Sequence, residues 1–185
     1  LRQELDDWAR LGVEGHLHGR DPWLPYHEQF RAPLARLIGA AEHEVVAMNS
    51  LTVNLHLLMA SFYRPTRERF RIILEDSAFP SDSYALASHA RMNGLDPAHA
   101  VIRLRPRDGE AVLRTEDITA AIERESDSLA MVMLGAVNYL TGQWFDMDAI
   151  TRAGHAAGAV VGWDLAHAVG NVPLRLRDCG GRGAD

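Results

Sequence analysis

The sequence predicts an α/β fold with a mainly parallel sheet and helices on both of its faces. Short runs rich in Val, Ile, Leu and Met alternate along the chain with longer segments of helical periodicity. Most of these runs lack polar alternation, which is typical of strands buried on both faces. Alternating strands and helices favour parallel strands joined by helical crossovers. The chain has 185 residues and no internal repeat, which suits one domain.

The elements follow from these patterns in chain order. Five strands are predicted, at Glu44–Met48, Arg71–Glu75, Ala100–Leu104, Leu129–Leu134 and Ala159–Asp164. The first helix should begin at Asp21-Pro22, an N-cap followed by proline, and stop at Gly39. Four more helices are predicted at Thr52–Phe62, Ser83–Asn93, Thr115–Arg124 and Asp146–Ala157, the second and fourth ending before Gly94 and Gly158.

Charge and cysteine content narrow the classes of partner and compartment. The net charge of −6 argues against nucleic acid or an anionic membrane as the main partner. The apolar stretch Leu129–Val137 is too short to span a bilayer, and Leu1–Arg10 has no apolar run typical of a secretory signal. A single cysteine, Cys179, excludes an internal disulfide and fits a reducing compartment. We therefore expect a cytoplasmic location.

Every one of the 19 basic residues is arginine. A chain without lysine cannot form a lysine Schiff base by itself, and it cannot form a P-loop, whose phosphate grip requires a lysine. A Rossmann-type nucleotide domain is also disfavoured, because no GxGxxG follows the first predicted strand.

Polar and aromatic residues follow four of the five predicted strands. Because ligands of open parallel sheets bind beyond the carboxyl ends of the strands, these segments are the candidate site. They are Asn49–Asn54, Ala78–Asp82, Asn138–Gln143 and Gly162–His167. Together they favour an anionic, partly aromatic ligand.

Each candidate residue also has a plainer interpretation. The Asn49–Thr52 segment is either a helix cap or, through its hydroxyls and free N–H groups, a phosphate site. Asp164 either starts a turn or faces a cation such as a protonated pyridine nitrogen. Phe79 is either a core residue or a platform for a planar ligand. His167 could share the Asp164 site, and a metal site at His16 and His18 is not expected because Cys partners and an HExxH frame are lacking.

Taken together, these segments resemble kynureninase. The resemblance covers residues 8–178 and rests on the order of several stretches rather than on one short motif. They are GHLHGRDPW (15–23), VVAMNSLTVNLHLLMASFYRPT (45–66), EDSAFPSDSYALASHA (75–90), LRTEDI (113–118), NYLTGQWFDM (138–147) and VGWDLAHAVGNVPLRLRD (161–178).

The resemblance implies the large domain of a pyridoxal-phosphate (PLP) enzyme related to aspartate aminotransferase, incomplete here. Its activity would be hydrolysis of L-kynurenine or 3-hydroxykynurenine to anthranilate or 3-hydroxyanthranilate and L-alanine. Such an enzyme would serve tryptophan catabolism or NAD (pyridine nucleotide) biosynthesis, and it would act as a homodimer.

The implied cofactor contacts span three segments of the chain. Leu51 and Thr52 would contact the phosphate, and Phe79 would stack on the ring within a cofactor-binding turn formed with Pro80, Ser81 and Asp82. Asp164 would pair with the ring nitrogen beside His167, and His16 would contact the substrate. No metal is implied.

The match stops at residue 178, before the Tyr-Lys pair that holds the cofactor covalently in the family. The predicted organisation is an N-terminal arm (1–20), a partial PLP-binding domain (21–178) and a divergent tail (179–185), which we interpret as the product of a reading-frame error or truncation. A second, smaller departure is Gly135, where some relatives have a serine.

Because the chain has no cofactor-binding lysine and its domain is incomplete, the chain alone is expected to be inactive and marginally stable. The alternatives are an inactive remnant, a PLP-binding partner subunit, or another PLP enzyme such as a cysteine desulfurase-like protein or an aminotransferase.

Overall fold

A computed structural model describes residues 1–179, which form two compact units that meet in sequence between Met48 and Asn49. The N-terminal unit consists of helices α1 (Arg2–Leu11) and α2 (Arg31–Ile38) with three 3-10 turns, Gly12–His16, Tyr26–Phe30 and Glu42–Glu44. The predicted arm, residues 1–20, is part of this unit. Of the predicted tail, only Cys179 falls within the described residues.

The first predicted helix is wrong at its start and right at its end. α2 begins at Arg31 rather than Asp21, and Gly39 ends it in the left-handed conformation, with φ of 66°. Proline disfavours helical backbone at the preceding residue, so Pro25 acts against a helix running through Leu24. Pro33 lies in the first turn of α2, where no intrahelical N–H bond is lost.

The predicted strand at Glu44–Met48 is also wrong. Val45 has extended backbone, with φ of −122° and ψ of 135°, but residues 44–48 pair with no strand among the described residues. Val46 is 54% exposed. An apolar run becomes a strand only when a neighbouring strand satisfies its backbone groups, and within residues 1–179 no strand pairs with this run.

The second unit contains the sheet. In chain order its elements are α3 (Leu51–Phe62), β1 (Arg71–Glu75), α4 (Pro80–Met92), α5 (Pro97–Ala100), β2 (Val101–Leu104), α6 (Thr115–Arg124), β3 (Leu129–Gly135), α7 (Met147–Ala156) and β4 (Val160–Asp164). Four predicted strands and four predicted helices therefore agree with these elements to within three residues at each end.

All strand pairs are parallel, in the order β2-β1-β3-β4. Alternate residues of each central strand point to opposite faces. Ile72 and Leu74 pack with α3 and α4, and Ile73 packs with α6 and α7. The predicted fold class is thereby confirmed. Among the described residues, no helix has the length and apolar character to cross a membrane.

The topology also locates the site. The chain leaves β1 toward β2 on one side and returns to β3 on the other, so the order reverses between β1 and β3. In open parallel sheets, a crevice forms beyond the carboxyl ends of strands at such a reversal. Here those ends are Glu75 and Gly135, with Asp164 opposite Gly135 on β4.

Candidate active site

The start of α3 fits an anion better than it fits a self-capped helix. Ser50 precedes the helix with extended backbone, and its side chain makes no hydrogen bond to the first turn. Asn49 has φ of 41°, a conformation that no other described non-glycine residue adopts and one that costs energy. Leu51 and Thr52 form the first turn with exposed side chains. The first-turn N–H groups therefore lack a side-chain cap, as a phosphate site requires.

The segment after β1 places an aromatic ring beside a buried acid. Phe79 precedes α4 and is 41% exposed, so it is not the core residue of the plainer interpretation. Pro80 opens the helix, where its missing N–H costs nothing. Ser81 donates to Asp82 at 3.4 Å, and Asp82 is 3% exposed.

Asp164 forms the predicted turn with a buried side chain, and its pairing with a cation stays a prediction. One of its oxygens, Oδ1, accepts from the backbone N–H of Ala166 at 2.8 Å, which is a turn of the kind aspartate favours. Its side chain is nevertheless buried, and its charge helps to raise the pKa of Asp82. His167 follows on the same turn with an exposed ring 6.0 Å from that of Phe79.

The two aspartates act as one acidic pair. Burial, followed by the charge of Asp164 and the hydrogen bond to it, raises the pKa of Asp82 to about 7. Two contacting carboxylates cannot both ionise cheaply in a buried site, so the pair retains a proton near neutral pH. Within residues 1–179, neither aspartate has an ion-pair partner. A cation beside the pair would relieve this repulsion.

Two hollows meet at the acidic pair. The first, of about 350 Å³, runs from the start of α3 to the turn after β4, and its lining includes Leu51, Leu58 and Trp163. The second is shallow and is lined by Phe79, Tyr139 and His167 with Glu75 at its base. Asp82 and Asp164 line both hollows. Thr52 lines neither, so a phosphate contact by its side chain stays a prediction.

The loop after β3 contributes a network that sequence reasoning missed. Asn138 is 3% exposed and donates to Glu75 at 2.9 Å. Burial raises the pKa of Glu75, and the hydrogen bonds from Asn138 and the Gly135 backbone act against that rise. The Tyr139 ring packs edge-on against Phe79 at 5.2 Å. Only the polar character of Asn138–Gln143 signalled this role in the sequence.

His16 lies in the N-terminal unit, at the end of the 3-10 turn Gly12–His16. Its ring packs edge-on against Trp23 at 5.3 Å. Gly15 lies against the same indole, so closely that a Cβ there would come within 2.8 Å of it. The substrate contact predicted for His16 stays a prediction.

Comparison with known proteins identifies the family. The family model described as Aminotransferase class-V matches residues 6–181. The chain belongs to this family. Similar curated proteins are the kynureninases of Salinispora tropica, 65% identical over 96% of this chain, and of Myxococcus xanthus, 61% identical over 97%. The kynureninase of Dictyostelium discoideum is 49% identical over 94% of the chain. The predicted resemblance is confirmed.

Solved structures of PLP-binding and cysteine-processing proteins share the fold at low identity. The cysteine desulfurase of Thermococcus onnurineus gives a TM-score of 0.68 at 17% identity over 97% of this chain and 44% of its own. A variant of the lyase C-DES, with glycine covalently linked to its PLP cofactor, gives a TM-score of 0.71 at 14% identity. The match covers 96% of this chain and 46% of the C-DES chain. The chain spans 42% of the Salinispora and Myxococcus kynureninases and 39% of the Dictyostelium one.

The family's cofactor is PLP, and the side chains of this class-V domain fit it. A buried acidic pair without a cation suits a protonated ring nitrogen, the half-exposed Phe79 suits the ring face, and the uncapped start of α3 suits the phosphate. A cavity of about 350 Å³ lies at the lower end of small-molecule sites. Within the described residues, no group of three or more His, Cys, Asp or Glu side chains could hold a metal ion.

Proposed function

We propose that this chain supplies the first part of the cofactor-binding domain of a kynureninase that uses PLP to hydrolyse L-kynurenine or 3-hydroxykynurenine. The single observation that carries this proposal is the buried Asp82–Asp164 pair, which has no cationic partner within residues 1–179, in a chain 65% identical to a kynureninase. Bound PLP withdraws electrons from the substrate during cleavage of a carbon–carbon bond. A buried carboxylate favours the protonated ring nitrogen that this withdrawal needs.

The remaining side chains would bind and orient the cofactor. The first turn of α3, at Leu51 and Thr52, would hold the phosphate through its N–H groups and the positive end of the helix dipole. Phe79, at the start of the turn that continues with Pro80 and Ser81, would cover one ring face and exclude water. His167 would border the same face, since its ring lies 6.0 Å from that of Phe79.

The 185 residues contain no lysine, so a reaction that needs one must take it from sequence outside them. This observation also favours a second candidate, a chain that binds PLP without catalysis or pairs with an intact subunit. We further propose a cytoplasmic location, supported by the single cysteine, and a homodimer with a role in tryptophan degradation or NAD synthesis, supported by the similarity to kynureninases.

A chimera provides the test. Residues 1–178 would be joined to the part of the Salinispora kynureninase that follows the matched region, and anthranilate release from L-kynurenine would be followed by its fluorescence. We expect activity from the chimera and none from this chain alone. Asp164→Ala should lower the chimera's rate by about a hundredfold or more, because it removes the charge beside the ring nitrogen. Asp76→Asn, which changes an exposed acid just after β1, is the matched control.

The alternatives give different results in the same experiment. A folded chimera that binds PLP but releases alanine from cysteine rather than anthranilate from kynurenine would favour a cysteine desulfurase-like enzyme. For the chain alone, borohydride reduction and peptide mapping should find no internal residue modified by PLP. Co-expression with an intact relative would detect a partner subunit by co-purification.

A further inference from the structure

The Asn138 side chain is held by six hydrogen bonds to two loops. Its Nδ2 group donates to Glu75 Oε2 at 2.9 Å and to the Oγ and carbonyl oxygens of Ser77 at 3.1 and 3.3 Å. Its Oδ1 accepts from the backbone N–H groups of Leu140 and Thr141, both at 2.9 Å, and from the Thr141 hydroxyl at 3.1 Å. Donor and acceptor ends are therefore both engaged, and the orientation of the amide is fixed.

Glu75 fixes the orientation of the Asn138 side-chain amide, because only its Nδ2 end can donate to a carboxylate. It is 3% exposed, and its carboxylate accepts from Asn138 and from the backbone N–H of Gly135. A carboxylate accepts through both oxygens, whereas a glutamine side chain offers one acceptor oxygen and would turn an N–H₂ group toward one of these donors. Glu75 thus accepts from two donors at the end of β1, and Oε2 is the acceptor for Asn138.

The turn that Asn138 holds carries an aromatic ring into the site. Tyr139 lies between the two ends of this turn, and its ring packs against Phe79 at 5.2 Å and His167 at 6.2 Å. All three rings line the shallow hollow above Glu75. The ring predicted to cover the cofactor is therefore supported by a residue whose backbone depends on Asn138.

We propose that Glu75 is a positioning residue of the cofactor site: by orienting the Asn138 amide, it holds the turn of residues 138–142 and keeps the Tyr139 ring against Phe79. This inference rests on the proposed function, because it concerns how Phe79 is presented to PLP. Glu75 acts through Asn138 and Tyr139 and is not itself a contact to the cofactor.

Hydrogen exchange of this chain without PLP tests the first half of the inference. Glu75→Ala and Asn138→Ala should each speed exchange of the Leu140 and Thr141 amides by about tenfold or more, since each breaks a buried hydrogen bond in the same network. Glu75→Gln should give a smaller increase because it keeps one acceptor, and it guards against a Glu75→Ala chain that does not fold. The double variant Glu75→Ala/Asn138→Ala should exchange no faster than Asn138→Ala alone.

Tyr139→Ala removes the aromatic ring and leaves the hydrogen bonds of the turn in place. Its side chain makes no hydrogen bond within the turn, so exchange at Leu140 and Thr141 should match wild type. Exchange after Glu75→Ala that stays within twofold of wild type, or additive effects in the double variant, would overturn the inference.

Titration with PLP, followed by fluorescence of the bound cofactor, tests the second half. Glu75→Ala, Asn138→Ala and Tyr139→Ala should each raise the Kd by about tenfold, with partial rescue in Glu75→Gln. Ile122→Val in α6, a buried position on the other face of the sheet, is a control that destabilises the fold without touching the site. A Kd shift in the control equal to that in Glu75→Ala would overturn the inference. If the wild-type chain does not bind PLP, the proposed function is overturned together with the part of this inference that concerns the cofactor. The part that concerns the turn of residues 138–142 is then decided by hydrogen exchange.

Discussion

Replacing Asp82 with asparagine should stabilise the chain, and by more at pH 8 than at pH 5. The pKa of Asp82 rises from its ordinary value of 3.8 to about 7 in the folded chain, chiefly because the side chain is buried and faces Asp164. Between those two pH values the folded state holds a proton that the unfolded state has released. The free energy of unfolding therefore falls as the pH rises through this window, and it has lost the full contribution of Asp82 above pH 7.

The size of the effect follows from the same two values. A gap of about 3 pH units, at about 1.4 kcal/mol each, corresponds to about 4 kcal/mol as an upper limit. Asparagine keeps the shape of the protonated acid and can still donate to Asp164, so Asp82→Asn should recover about 2–4 kcal/mol at pH 8. At pH 5, about 1 pH unit above the ordinary value, the unfolded state has already released the proton that the folded state holds, so the variant should recover about 1–2 kcal/mol there.

Urea unfolding followed by tryptophan fluorescence at pH 5, 6, 7 and 8 measures the effect. The difference between variant and wild type is the informative quantity, because other groups also titrate. Burial and His56 lower the pKa of His89, so stability is lost at acid pH, while the raised pKa of Glu75 acts in the same direction as that of Asp82. The His89 contribution cancels in the difference, and the Glu75 contribution cancels except for its charge interaction with Asp82.

Asp76→Asn is the matched control, because Asp76 is exposed and its ion pair among the described residues is with Arg105. An exposed ion pair contributes about 1 kcal/mol or less, so this variant should not produce a pH-dependent gain. A difference between Asp82→Asn and wild type that stays constant from pH 5 to pH 8, or an Asp82→Asn chain that is less stable at pH 8, would refute the reasoning.

Three further substitutions test how the elements around the site are held together. Arg69→Lys should lower the free energy of unfolding by about 2–4 kcal/mol in urea, because the guanidinium donates to three backbone carbonyls that lysine cannot all reach. Gly154→Ala should cost about 1–3 kcal/mol in the same assay, since a Cβ there would lie 2.4 Å from Val161. Gln143→Ala should cost about 1–3 kcal/mol and speed exchange of the Leu113 amide, which donates to the Gln143 side chain at 3.0 Å. An unchanged midpoint for any of the three would contradict the corresponding contact.

The sheet was predictable because its strands are apolar on both faces. β1 was predicted to the residue, and β2, β3 and β4 to within one, since runs such as Arg71–Glu75 admit few alternatives once helices flank them. Glu44–Met48 has a similar composition and still forms no strand. Whether a short apolar run forms a strand depends on a neighbouring strand, and the local sequence of the run does not show whether that neighbour exists.

The site was predictable in part. Strand ends are visible in the sequence, so Asp164 and the Phe79–Asp82 segment could be assigned to one edge of the sheet. The hydrogen bond from Asn138 to Glu75 joins residues 63 positions apart, and no local sequence pattern predicts it. Glu75 ends a buried strand, where a carboxylate looks like the start of an ordinary turn, and only the structure shows that it is buried and bonded.

Three buried acids converge where the strand order reverses, and the fold stabilises each in a different way. Glu75 accepts hydrogen bonds from Asn138 and Gly135, and Asp164 accepts one from Ala166. Asp82 accepts the weak 3.4 Å bond of Ser81, and it retains a proton instead. The chain without ligand thus bears a cost that grows as that proton leaves, and a cationic ring beside Asp82 and Asp164 would remove it. The same carboxylates that reduce stability above pH 7 should therefore favour binding of a protonated pyridine, which couples the stability of this edge of the sheet to its cofactor.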